Sequence, residues 1–176
     1  MLKKFQATMS KMVFGILLAM ALTIAIFAAN TETGPSGILV RTGQGSVNGL
    51  LVGHVEQFRG VPYAAPPLAD LRWRAPLPPK AYSGALHAAT FPAPCMQGRA
   101  LPDFPRPSED CLYLNLYRPA GSREGQKMPV LIYFHGGGFA GGTASARDGA
   151  ELAAGNDMIV ISGSGGQAHH RTGADG

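Results

Sequence analysis

Eleven of the fourteen prolines fall between Pro62 and Pro107. Proline fixes φ and removes an amide donor, so neither a long helix nor a central strand can run through that stretch. The chain is thereby divided into a strand-rich beginning, an irregular middle of more than forty residues and a regular end. Irregular segments of that length are uncommon in compact domains unless they build a site or pack as a lid. A disordered linker is the alternative. Phe58, Tyr63, Leu71, Trp73, Tyr82, Phe91 and Phe104 speak against it, because linkers seldom carry so many large apolar side chains.

Ahead of the prolines, "GILVRTGQGSVNGLLVGHVEQFRGVPYA" (Gly37 to Ala64) has β-branched runs broken by Gly and Asn. It predicts two or three short antiparallel strands, around Ile38–Arg41, Gly49–Val52 and Val55–Arg59. After the prolines, "CLYLNLYRP" (Cys111 to Pro119) alternates Leu112, Leu114 and Leu116 with Tyr113, Asn115 and Tyr117. That period of two predicts a strand, stopped by Pro119. "GSREGQK" (Gly121 to Lys127) reads as a polar turn, and "PVLIYFH" (Pro129 to His135) as a strand buried on both faces. "SARDGAELAAGN" (Ser145 to Asn156) predicts a short helix with Ser145 as cap and Gly155 near its end. "DMIVI" (Asp157 to Ile161) is a further buried strand. Strand, helix and buried strand make a βαβ unit, so the fold class is α/β with a parallel or mixed sheet. From residue 163 to 176 the chain is polar and aperiodic, and an unstructured tail is expected there.

The first 29 residues are of another kind. Lys3, Lys4 and Lys11 precede an uncharged apolar run of 18 residues from Met12 to Ala29. This fits a secretory signal or an uncleaved anchor at the lower length limit for a bilayer span. Membrane contact is expected through this segment alone. The formal net charge of +4 falls to +1 without those three lysines, so no basic surface for nucleic acid is expected. Export would permit the two cysteines, Cys95 and Cys111, to oxidise. A bridge closing 15 intervening residues is worth about 3 kcal/mol in the chain-entropy model. Two buried free thiols are the alternative.

"LIYFHGGGFAGG" (Leu131 to Gly142) ends a strand in three glycines, with two more just beyond. Successive glycines let the backbone approach a ligand and let neighbouring N–H groups converge on one point. Such donors suit a developing oxyanion, because they need not reorganise as charge forms. A flexible turn is the plainer reading of Gly-Gly-Gly alone. His135, at the strand end, is read as structural and not as a catalytic base.

Four segments together resemble the type B carboxylesterase family, which includes the cholinesterases. They are "FRGVPYAAPP" (Phe58 to Pro67), "LRWRAP" (Leu71 to Pro76), "SEDCLYLNLYRP" (Ser108 to Pro119) and "VLIYFHGGGFAGG" (Val130 to Gly142). The resemblance spans about residues 36–162. It implies an α/β-hydrolase fold, here the N-terminal antiparallel strands plus the first strands and helix of the mixed sheet. Residues 30–162 would be the N-terminal part of such a domain. It also implies a Cys95–Cys111 disulfide and a buried or half-buried Arg72–Glu109 salt bridge. Gly137 and Gly138 would supply oxyanion-hole amides, and Gly136 would shape the turn. The implied activity is hydrolysis of small carboxylic esters by a serine nucleophile, with no cofactor and no specific protein partner.

The nucleophile motif of that family, Gly-x-Ser-x-Gly, is absent from these 176 residues. Ser164 comes nearest, but Ser162 stands where the first glycine should be. The acid and base of the triad are expected further downstream, so no catalytic triad residue is assigned. The departure after Ile161 suggests a frameshifted or truncated gene whose product is inactive alone; a non-catalytic binding module is the other reading. "GSGGQA" (Gly163 to Ala168) matches a dinucleotide-binding spacing, but no helix pattern follows it. His169 and His170 lack a third ligand, so no metal site is expected.

Overall fold

A computed structural model of the chain describes residues 37–98, 101–138 and 140–164. The signal-or-anchor segment, residues 1–29, lies outside them, as do residues 165–176 of the expected tail. Among the described residues no helix is long and apolar enough to cross a membrane.

Seven strands form one mixed sheet: β1 (Gly37–Thr42), β2 (Gly45–Val52), β3 (Val55–Pro62), β4 (Ala85–His87), β5 (Tyr113–Pro119), β6 (Val130–Phe134) and β7 (Ile159–Gly163). The spatial order is β1-β2-β3-β5-β7-β6, with β4 also paired to β2. β1, β2, β3, β5 and β7 are antiparallel to their successive neighbours, whereas β6 and β7 are parallel. The helix α1 (Ala150–Asn156) lies between β6 and β7 in the chain and completes the expected βαβ unit.

The second edge of β2 is shared. Ser46–Asn48 pair with β4 and Leu50–Val52 with β3. Gly49, between them, has Phe58 pressed against it: a Cβ there would lie 2.6 Å from the Phe58 ring and from the Gln57 carbonyl oxygen. Among the described residues β4 is the strand that the proline-rich segment supplies, from its proline-free stretch between Pro79 and Pro92. Elsewhere that segment satisfies its backbone through isolated bonds, such as Ala65 N–H to Leu77 O and Ser108 N–H to Pro94 O. Trp73 is 63% exposed.

β3 carries a bulge. Phe58 faces Leu116 and Val61 faces Leu114, so Arg59 and Gly60 together oppose Asn115. Gly60 takes φ +75°, and its freed amide donates to Asn115 Oδ1 at 3.0 Å. Next along the same pair of strands, Glu56 and Arg118 stand directly opposite and form an ion pair, with Glu56 almost fully buried.

The sheet packs on both faces: Val47, Phe58 and Ala88 form a buried cluster on the Leu116 side, and α1 covers the other. Val55, Tyr117, Ala153 and Val160 form a cluster there, joined by Phe91, Ala150 and Met158. In β5 it is Asn115 and Tyr117 that are fully buried, while Leu114 and Leu116 are half-buried on the other face. The helix starts later than expected. Thr143, not Ser145, caps a 3₁₀ turn at Ala144–Ala146, and α1 begins after Gly149. Asp157 in a left-handed conformation ends it, two residues after Gly155, which stands near the helix end as expected.

Two further expectations fail. β6 is not buried on both faces: Ile132 is 57% exposed and Phe134 71%. It stands at the end of the strand order, and α1 packs on β3, β5 and β7 instead. The tail boundary at residue 163 is also too early. Gly163 pairs with Leu114 and Phe134, and Ser164 N–H donates to Tyr113 O at 2.9 Å.

Tyr117 offers a test of this core. Its ring crowds Gly149, where a Cβ would lie 2.7 Å from Cδ2. The hydroxyl is buried with no hydrogen-bond partner among the described residues; the Gly149 amide is near enough to offset part of the rise in its pKa but does not meet hydrogen-bond geometry. Burial first, then the charge of Asp148, pushes this phenol from 10.0 up to about 12. A raised phenol favours the neutral form in the fold, so its contribution is complete below pH 10. It is lost as pH climbs through about 12. Urea midpoints should therefore fall between pH 10 and 12, and fall less in Tyr117→Phe. At pH 7 that variant should be unchanged or up to about 1 kcal/mol more stable, because a lone buried hydroxyl is removed. An identical alkaline slope in the variant would contradict this.

Candidate active site

β6 delivers the chain into the loop His135–Gly142 at the end of the parallel strand pair. Gly137, Gly138 and Gly142 take φ values of +142°, +60° and +128°. A Cβ on Gly137 would overlap the Gly141 carbonyl oxygen, and one on Gly142 would lie 2.6 Å from Gly136 O. The loop is folded back on itself, backbone against backbone, and Ala140 N–H closes it onto Gly137 O at 3.1 Å. Glycine is therefore required at Gly137 by conformation and by space. Gly136 is different: it has no left-handed φ, and a Cβ there would meet nothing within 4 Å. The Gly136 carbonyl is 3.0 Å from His135 Nδ1. Among the described residues no acceptor takes the amides of Gly137 and Gly138, and both glycines are exposed.

Three side chains, Gln97, Thr143 and Asn115, act on the loop and the turn that leaves it. Gln97 Oε1 accepts from Gly142 N–H at 2.7 Å, and Gln97 Nε2 reaches Gly142 O at 3.4 Å. Thr143 Oγ1 accepts from Ser145 N–H at 3.3 Å and fixes the turn leaving the loop. Asn115 Nδ2 lies 3.5 Å from Ser145 Oγ and 3.4 Å from Ser162 Oγ, long hydrogen bonds in a fully buried place.

Cys95 and Cys111 are joined in a disulfide, which closes the loop that carries Gln97. Arg72 meets Glu109 in a two-pronged ion pair, Nε to Oε1 at 2.7 Å and Nη2 to Oε2 at 2.6 Å. Its setting is the half-buried one of the two expected: the side chains are 50% and 37% exposed. Water screens such a pair, so it ties two loops without the penalties of a buried charge. The hydrogen bond to Glu109 and then its charge keep the Arg72 guanidinium above its ordinary value. A cavity of about 290 Å³ lies beside it, lined by Trp73, Met96 and the disulfide.

Ser164 is not placed for nucleophilic attack. It is buried, its Oγ donating to Cys111 O at 2.6 Å or to Tyr113 O at 2.9 Å. Among the described residues no three His, Cys, Asp or Glu side chains gather as metal ligands.

Neither Gln97 nor Asn115 carries an obvious signal in the residues alone. Asn115 could have been suspected as the one amide between two tyrosines on a single strand face. Gln97 sits in an irregular loop, and only its position two residues after Cys95 marks it.

Asn115→Ala should cost about 2–4 kcal/mol in urea unfolding, because three contacts vanish and the Gly60 amide is left without an acceptor. Asn115→Asp should cost at least as much, since a charge replaces the donor in a buried place. A loss below about 0.5 kcal/mol for the alanine variant would show that the site relaxes around the gap.

The model of the carboxylesterase family matches residues 36–164. A cocaine esterase of Oryctolagus cuniculus is 44% identical over 138 residues, covering 68% of this chain and 26% of that protein. A fumonisin B1 esterase of Sphingopyxis macrogoltabida is 40% identical over 134 residues, covering 73% and 24%. A solved carboxylesterase of Geobacillus stearothermophilus superposes with a TM-score of 0.66 at 36% identity, covering 72% of this chain and 26% of its own. The chain thus spans about a quarter of the length of the relatives it matches. These solved neighbours are esterases of the α/β-hydrolase fold, and the mixed sheet described here is part of that fold. By its family match, its sheet and its disulfide-linked loops, the chain belongs to the carboxylesterase family.

Proposed function

We propose that this chain carries the oxyanion-stabilising part of a carboxylic ester hydrolase, with the nucleophile, acid and base supplied by residues that these 176 do not include. The observation that bears most weight is the pair of amides at Gly137 and Gly138. They are exposed, unspent among the described residues, and presented by a loop in which a side chain at Gly137 would strike backbone. In a complete site a serine would attack the ester carbonyl, and the carbonyl oxygen would gain negative charge. Two fixed N–H groups would receive it, then release it as the acyl-enzyme forms and is hydrolysed. Gly136 needs no side chain for this role, and its carbonyl braces Gly142. Arg72–Glu109 and the disulfide hold the surrounding loops. No step calls for a cofactor.

Alone, the 176 residues are proposed to be inactive, since they contain no Gly-x-Ser-x-Gly and Ser164 is enclosed by carbonyls. The apolar run Met12–Ala29 and the disulfide support export, with the segment acting as signal or anchor.

Two assays test the reading. The purified 176-residue chain should release no p-nitrophenol from a short-chain p-nitrophenyl ester. Turnover blocked by a serine-directed organophosphate would contradict its inactivity. Residues 36–164 should also replace the matching quarter of the Geobacillus carboxylesterase with ester hydrolysis retained. In that chimera Gly137→Ala should lower kcat per organophosphate-titrated site by about 10²–10³ with KM little changed. A loss under about fivefold would contradict the oxyanion role.

A further inference from the structure

We propose that Gln97 is a positioning residue for the Gly137 and Gly138 amides, acting from the disulfide-closed loop through the backbone of Gly141 and Gly142. The proposal rests on the oxyanion reading of those two glycines, but its geometry can be tested apart from that reading.

The Gln97 side chain treats Gly142 as a neighbouring strand would. Its oxygen accepts the Gly142 N–H at 2.7 Å, and its nitrogen reaches the Gly142 carbonyl at 3.4 Å. Close approach is what permits this, because a Cβ on Gly141 would overlap Gln97 Oε1. Gly141 and Gly142 in turn lie on the start of the loop. The Gly141 carbonyl fills the space where a Gly137 Cβ would stand, and Gly142 Cα packs on the Gly136 carbonyl. Contact therefore passes from Gln97 to Gly141–Gly142, and from there to Gly136–Gly137.

Gln97 is itself anchored. It follows Cys95 by two residues, and Cys95 is bonded to Cys111, two residues ahead of β5. Cys95 also forms a bridge with Ser108, where Ser108 N–H donates to Pro94 O at 2.9 Å. The loop is thus referred to the sheet from two directions, by β6 at its entry and by Gln97 near its exit. The residue type fits the chemistry. A neutral amide offers both an acceptor and a donor to one peptide unit. A carboxylate would keep the acceptor, lose the donor, and place negative charge beside a loop meant to receive an oxyanion.

Amide hydrogen exchange, followed by NMR on the full 176-residue chain, reads this directly. In Gln97→Ala, exchange of the Gly142 amide should accelerate about tenfold, the scale of one lost hydrogen bond. The Gly137 and Gly138 amide resonances should shift, while the β5–β7 ladder keeps its protection. In Gln97→Glu the Gly142 amide should stay within about threefold of the parent, since an acceptor remains. Unchanged Gly142 exchange in the alanine variant would overturn the proposal, as would unmoved Gly137 and Gly138 resonances. Acceleration spreading through the β5–β7 ladder, or equal in the two variants, would do so too, because it would mark a general packing role. Exchange reports loop geometry and not ester chemistry. These results can therefore fail while the Gly137→Ala kinetics stand, and the kinetics can fail while these stand.

Discussion

The buried amide of Asn115 is the interaction on which the remainder of this structure turns. It lies at the middle of β5, the strand shared by the antiparallel β1–β3 portion and the β6–α1–β7 unit. On one side its oxygen takes the amide freed by the β3 bulge at Gly60. On the other its nitrogen faces the hydroxyls of Ser162 in β7 and Ser145 beyond the glycine loop. Bulges leave a ladder group unpaired, and a buried unpaired group is costly. One side chain thus makes the bulge tolerable and, with its remaining donor, locates the turn that leaves the candidate site.

The glycine loop depends on this arrangement because five of its eight residues are glycines, and among the described residues the contact from its own side chains is His135 Nδ1 against Gly136 O. Its shape comes from backbone packed on backbone at Gly137 and Gly141, and from partners that reach in from elsewhere. β6 brings the chain in, Asn115 and Thr143 fix its exit, and Gln97 pins Gly142. Stability and function are linked at this point. Residues that never face an ester decide where the two exposed amides point.

Much of this was legible in the residues. Alternation in "CLYLNLYRP", the apolar runs of β6 and β7 and the helical stretch between them suffice for a βαβ unit, because each pattern has a single period. The glycine run and the four family-like segments suffice for the ester-hydrolase reading. What failed did so for long-range reasons. β4 is three residues of a proline-rich stretch, recruited by an edge of β2 that no local pattern reveals. "PVLIYFH" is apolar on both faces, yet its exposure depends on what lies beside it, and the strand order ends there. Gly163 and Ser164 look like the start of a polar tail, yet Gly163 pairs with both β5 and β6 and Ser164 N–H bonds to Tyr113 O of β5.

Gly137 and Gly138 are proposed to form a fixed backbone donor site and not a flexible turn. The ¹⁵N order parameters of their two amides in the 176-residue chain test it most directly. A loop held by packing and by Gln97 should give values near those of the sheet, about 0.85. Values below about 0.6 at both glycines, with the β5–β7 amides rigid, would contradict the account.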